Sequence, residues 1–120
     1  MSDSAAYDFF KKGSDLLERG DFNAATISLE RARALEPDKS SIREALGRAY
    51  FRSSRFEQAA VEFAAVVEQY PVNDYAHFCL GRAFENTGRR RLARRHAALA
   101  ANMRPDRADY REALERLRAA

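Results

Sequence analysis

The five glycines and three prolines of this 120-residue chain fall on a lattice with a period of 34 residues. Pro37, Pro71 and Pro105 are 34 apart, and so are Gly13, Gly47 and Gly81. Gly20 and Gly88 share a third phase, with Ser54 in the slot between them. A fixed period of this size is the mark of a solenoid, in which one supersecondary unit is stacked on itself.

Aligned on the prolines, three segments follow one another without gaps, 6–39, 40–73 and 74–107. Each contains two helical patterns separated by a turn. The first pattern ends near Gly20, Ser54 or Gly88, where a small residue suits a helix C-terminus. The second begins just after, with Asp21 placed as an N-cap, and stops near the proline, which cannot continue the preceding helix. Asp38, Asp74 and Asp106 fall where the next helix starts, at the positive end of its dipole. Gly13, Gly47 and Gly81 sit mid-helix, where glycine costs about 0.5–1 kcal/mol relative to alanine. Close approach of the paired helix must return more, with Ala25, Ala59 and Ala93 as the matching small positions. Leu16, Tyr50, Phe84, Leu29 and Phe63 are the large residues that fill the remaining space.

These residues resemble the tetratricopeptide repeat, whose signature is W-x2-L-G-x2-Y…A-x3-F…P. The first segment has Phe9, Lys12, Gly13, Leu16, Ala25, Leu29 and Pro37 at those positions. The second has Arg43, Leu46, Gly47, Tyr50, Ala59, Phe63 and Pro71, and the third has His77, Leu80, Gly81, Phe84, Ala93, Ala97 and Pro105. The expected fold is therefore all-α, a right-handed α-solenoid of three helix-turn-helix repeats plus a solvating helix over 107–118. That makes seven helices in a single domain over 1–120. The third repeat departs from the pattern: Arg90 stands where the others have Phe22 and Phe56, and Ala97 replaces a large apolar residue. Its second helix is expected to be thin in core contacts and to depend on the last helix.

The array's ends are expected from one helix face. Its residues are Ile42, Leu46 and Ala49 in the second repeat, Ala76, Leu80 and Ala83 in the third, and Tyr110, Leu114 and Leu117 after Pro105. In the first repeat they are Asp8, Lys12 and Asp15, which predicts that nothing packs before it. Glu115 takes the mid-helix glycine slot in the last helix, with Arg111 and Arg118 on the same face, which predicts a solvated cap.

Several function classes recede. The longest apolar run, Ala97-Ala98-Leu99-Ala100-Ala101, is far short of the ~20 residues that span a bilayer. Met1-Ser2-Asp3-Ser4 lacks the basic and apolar regions of a secretory signal. With Cys79 as the one cysteine, no internal disulfide forms, and the expected location is cytoplasmic. His77 and His96 have no carboxylate or cysteine at relay or ligand spacing, and His77 and Cys79 point in different directions on a helix. No catalytic residue, metal or cofactor is expected, and the chain reads as a non-enzyme.

Charge is local. Residues 72–105 hold 2 acids and 7 bases, whereas residues 1–37 hold 7 acids and 5 bases. Arginine and alanine are abundant enough to suggest a GC-rich bacterial genome. Arg89, Arg90, Arg91, Arg94 and Arg95 form a basic patch, readable as a solvated helix face or as a dock for an acidic protein surface. Base-stacking aromatics are not interleaved with it, so nucleic acid ranks last.

The resemblance further implies a concave groove lined by the first helices. Carried over position by position, it offers Tyr7, Phe10, Lys11, Ser14, Leu17 and Glu18 from the first repeat. The second offers Ser41, Glu44, Ala45, Arg48, Phe51 and Arg52, and the third Tyr75, Phe78, Cys79, Arg82, Glu85 and Asn86. The family's cochaperone subclass holds a terminal carboxylate through lysine, asparagine and arginine at five of these positions. Here those positions hold Phe10, Ser14, Ala45, Tyr75 and Cys79, so that role is not expected. The leading expectation is a monomeric adaptor that binds a protein or peptide segment, apolar with acidic residues. A homo-oligomerising or assembly subunit of a larger complex comes second, and an anion or nucleic-acid binder through the arginine patch third.

Overall fold

The computed structural model describes the backbone of residues 2–119 and the side chains of residues 5–119. Met1 and Ala120, which the sequence-based domain includes, lie outside the described residues. Seven helices and no strand occur among them: α1 (Ser2–Glu18), α2 (Phe22–Leu35), α3 (Ser40–Arg52), α4 (Phe56–Gln69), α5 (Asp74–Asn86), α6 (Arg90–Met103) and α7 (Ala108–Arg118). Each packs on its sequence neighbours, and the first helices also touch one another, α1 on α3 and α3 on α5. The result is elongated, 49 × 25 × 23 Å. Each pair of helices buries its facing stripe, and every further pair extends the same core.

The turns within the three repeats share one backbone solution. Gly20, Ser54 and Gly88 all lie in the left-handed region, at φ +85°, +63° and +80°. In each, the next amide reaches back to the helix: Asp21 N to the Leu16 carbonyl (2.9 Å), Arg55 N to Tyr50 (2.8 Å) and Arg89 N to Phe84 (2.9 Å). This pattern satisfies carbonyls that the helix end leaves orphaned. Asp21 occupies the N-cap position of α2, yet its side chain makes no capping bond. Its backbone is already committed to closing the preceding helix. The capping side chain that does form belongs to Asn73, whose Oδ1 accepts from Ala76 N at 3.0 Å. Asp74 lies in the first turn of α5, while Asp38 and Asp106 lie in the turns before α3 and α7.

A second recurrence joins one repeat to the next. Arg43 Nε, His77 Nε2 and Arg111 Nη1 each reach back six residues, to the carbonyls of Pro37 (2.8 Å), Pro71 (2.8 Å) and Pro105 (2.6 Å). Proline ends the helix for lack of an N–H, and its carbonyl then holds the next helix in place.

The face that separates the first repeat from the others behaves as its composition dictates. Ile42, Leu46, Ala49, Ala76, Leu80, Ala83, Tyr110, Leu114 and Leu117 are all buried, whereas Asp8, Lys12 and Asp15 are exposed. In the third repeat the small Ala97 leads to a different outcome from thin packing. An added Cβ at Gly81 would stand 3.2 Å from the Ala93 carbonyl oxygen and 3.3 Å from Ala97 N, so the helices meet backbone to backbone. Arg90 donates to the carbonyls of Leu117 (2.7 Å) and Arg116 (3.3 Å), tying α6 to the end of α7.

Candidate functional site

Two cavities lie between neighbouring first helices. The more arginine-rich one, about 280 Å³, lies between the C-terminal half of α3 and α5. Arg48, Phe51, Arg52, Tyr75, Phe78, Cys79 and Arg82 line it, with Phe63 behind. These positions recur three, four and seven apart along their helices, so helical periodicity places them on one face. Arg82 lies over the rings of both Phe51 (5.3 Å) and Phe78 (5.9 Å), and Arg52 lies over Phe22 (4.5 Å). Ring faces are negative, so a stacked guanidinium is held while its N–H edge stays free. None of Arg48, Arg52 and Arg82 has a carboxylate within 4.0 Å among the described residues, whereas Arg33, Arg43, Arg89, Arg104, Arg107 and Arg116 each do.

The cavity's own polar groups are unreactive. Burial pushes the Cys79 thiol up to about 12, and the neutral thiol is a poor nucleophile. Burial likewise raises the Tyr75 phenol, with Cys79 beside it. What the lining exposes is charge and aromatic surface.

The second cavity, about 380 Å³, lies between the N-terminal parts of α1 and α3. It is lined by Ala6, Tyr7, Phe10, Glu36, Lys39, Ser41 and Ile42. Tyr7 is 60% exposed, which is unusual for so large a ring. The predicted groove residues thus divide. Tyr7 and Phe10 go to one cavity, and Arg48, Phe51, Arg52, Tyr75, Phe78 and Arg82 go to the other. Ser14 and Glu44 are half-buried and line neither. Leu17 is part of the hydrophobic core. Glu85 is engaged by Arg116 of α7 at 2.8 and 3.0 Å, which holds its carboxyl below the usual range. Phe78 also stacks on Tyr110 of α7, centroids 4.7 Å apart, so it serves packing as well as the cavity.

The arginine patch is split in the same way. Arg89 pairs with Glu57 at 3.1 Å, and Arg90 is spent on α7. Arg91, Arg94 and Arg95 are exposed, with no carboxylate partner among the described residues.

Two polar clusters escape a linear reading. Glu62 of α4, 2% exposed, is held by Arg33 of α2 (2.5 Å) and Arg43 of α3 (3.1 Å). In the third repeat the corresponding positions hold His77 and His96, whose Nδ1 atoms are 3.0 Å apart. The Pro71 carbonyl can only accept, so His77 Nε2 carries a hydrogen, and one hydrogen bridges the two Nδ1 atoms. Burial and the neighbouring His77 push His96 down to about 4. The 34-residue alignment was the available signal, since it puts His77 in register with Arg43 and His96 with Glu62.

A row of stacked helix pairs, with cavities between its neighbouring first helices, defines a helical-repeat protein. The tetratricopeptide repeat family matches over residues 10–74 and again over 44–108. The chain belongs to that family, a protein-interaction scaffold fold. Among solved structures it is similar to the first tetratricopeptide domain of Spaghetti (RPAP3), described as bound to the HSP90 peptide SRMEEVD. That match has 16% identity and a TM-score of 0.89 over 96% of this chain and 91% of that one. It is also similar to the Arabidopsis OM64 tetratricopeptide domain, with 20% identity, a TM-score of 0.90 and 98% of both chains covered. MamA of strain MSR-1 aligns at 28% identity with a TM-score of 0.84, covering 91% of this chain but 63% of that chain. Comparison with curated proteins finds no match. No helix among the described residues is long and apolar enough to cross a membrane.

Proposed function

We propose that this protein is a non-enzymatic adaptor whose first-helix groove binds a segment of another protein, apolar and carrying acidic residues. The carrying observation is the trio Arg48, Arg52 and Arg82, set around aromatic surface without carboxylate partners among the described residues. Aromatic and arginine side chains dominate binding hot spots, and cations left free beside an apolar cavity complement an acidic, apolar ligand. The family's role as an interaction scaffold supports the same reading, as does a neighbour described with a bound peptide.

The ligand is not a chaperone tail held by its terminal carboxylate. The five positions that would grip one hold Phe10, Ser14, Ala45, Tyr75 and Cys79, and two of these, Ala45 and Cys79, are buried. We place the adaptor in a bacterial cytoplasm, acting as a monomer.

The test is titration of a partner captured from the native host against Arg48→Ala and Arg82→Ala proteins. Each is expected to cost about 1–2 kcal/mol of affinity with the fold intact. Unchanged affinity in both, with loss on altering Arg91, Arg94 and Arg95, would move the site to α6.

A further inference from the structure

The two cavities differ in character, and helix geometry fixes how far apart they are. The cavity between α1 and α3 carries one acid and one base, Glu36 and Lys39, beside Tyr7, Phe10 and Ile42. It offers an apolar seat with no charge preference. The cavity between α3 and α5 carries three arginines and no acid. Helix α3 borders both, with Ser41 and Ile42 in its first turn and Arg48, Phe51 and Arg52 toward its last.

About nine residues of helix separate those groups, a rise of about 13 Å at about 1.5 Å per residue. Moving from one gap between first helices to the next adds about 9 Å sideways. The two seats are therefore roughly 16 Å apart along the diagonal. An extended chain covers that distance in about five residues. A helix would need about eleven residues, or three turns. A docked helix also needs a continuous trough for its i, i+3, i+4, i+7 stripe. The intervening groove positions of α3 are Glu44, a carboxylate, and Ala45, a buried methyl.

Resting on the groove reading above, we propose that the ligand is an extended segment with two unlike anchors about five residues apart. A neutral apolar side chain sits between α1 and α3, and an apolar side chain flanked by carboxylates sits between α3 and α5. This orients the segment on the protein, since exchanging the anchors would move the carboxylates away from the three arginines.

The probes are fluorescein-labelled synthetic peptides carrying a leucine and a Glu-Phe-Glu triplet, joined by glycine and serine. Their anchor spacings are about two, five and eleven residues. The peptide with the middle spacing is expected to bind about tenfold tighter than the others. Changing its triplet to Gln-Phe-Gln should cost about tenfold against the native protein, and little against Arg48→Ala or Arg82→Ala protein. Ser41→Arg, which fills the seat between α1 and α3, should remove the spacing preference and keep the preference for glutamate. Equal affinity at every spacing, with Arg82 dependence intact, overturns the two-anchor ligand and leaves the groove standing. An optimum at the longest spacing overturns the extended conformation, and failure of every peptide to bind overturns the anchor chemistry. Affinity untouched by Arg48→Ala and Arg82→Ala removes the groove reading itself.

Discussion

The second and third repeats share a 34-residue frame and fill it by different means. In the second, Gly47 opens a slot for the Phe63 ring, whose edge would stand 2.9 Å from an added Cβ. Its polar joint is an ion cluster, Arg33 and Arg43 on the buried Glu62. In the third, Gly81 lets backbone meet backbone, and the joint is a histidine pair. The second repeat is flanked by a repeat on each side, whereas the third leans on α7 through Tyr110, Leu114, Leu117 and the Arg90 bonds to its last carbonyls. The consensus therefore fixes where two helices run, while local residues decide how they are held and at what pH.

The largest test of this contrast is removal of α7, residues 106–120. Tyr110, Leu114 and Leu117 are buried, and losing three such side chains forfeits about 5 kcal/mol or more. That is comparable to the whole stability of a small domain. The shortened chain is expected to aggregate or to melt far below the full one. Melting within a few degrees would show that the third repeat stands without α7.

Leucine at the two mid-helix glycines sharpens the same comparison. Gly81→Leu drives into main chain that cannot rotate away and is expected to cost about 3 kcal/mol or more, at the upper end of overpacking effects. Gly47→Leu meets a ring that can tilt and should cost about 2 kcal/mol. Glu115→Leu, in the equivalent slot of α7, is exposed and should change stability by no more than about 0.5 kcal/mol. Equal losses at Gly47 and Gly81 in chemical denaturation would erase the distinction between the two packings.

Acid should weaken the third repeat's joint. His96 titrates near 4 in the fold, below its ordinary value of 6.5, with His77 and Arg95 as the facing groups. Between those values the unfolded chain binds more protons, so stability is full above about pH 6.5 and falls as pH drops toward 4. Allowing for the ring's partial exposure, the loss from pH 7 to pH 5 is about 1 kcal/mol. His96→Gln, which can still donate to His77, should flatten that slope. An unchanged slope in the variant would assign the acid sensitivity elsewhere.

A small gain is expected at the turns. Ser54 holds φ +63°, where its neighbours in phase are glycines. Ser54→Gly should stabilise by about 0.5–1 kcal/mol, by removing the penalty a Cβ incurs there. A loss instead would show that the Ser54 side chain supports the turn.

Much of this was legible because a 34-residue period repeats the same local demand. Pro37, Pro71 and Pro105 and the left-handed turn positions gave the helix order, and the Ile42–Leu46–Ala49 face gave the stacking. Asp21 takes the expected N-cap position of α2, but its side chain makes no capping bond, because the same residue closes the preceding helix through its backbone. The division of the groove was hidden because it depends on which arginines find carboxylates, such as Arg116 on Glu85, 31 residues away. The histidine pair, 19 residues apart, required two helices to be docked before it existed.

The reach-back bonds to the prolines carry a mechanical consequence. Two of the three come from guanidinium groups, whose permanent charge assists the bond, and one from an imidazole. The joins between repeats are thus held by unlike links, with an imidazole at the turn between the second and third repeats where the others have a guanidinium. That turn leads into α5, one of the two helices that wall the arginine cavity, so the imidazole link anchors one wall of the cavity.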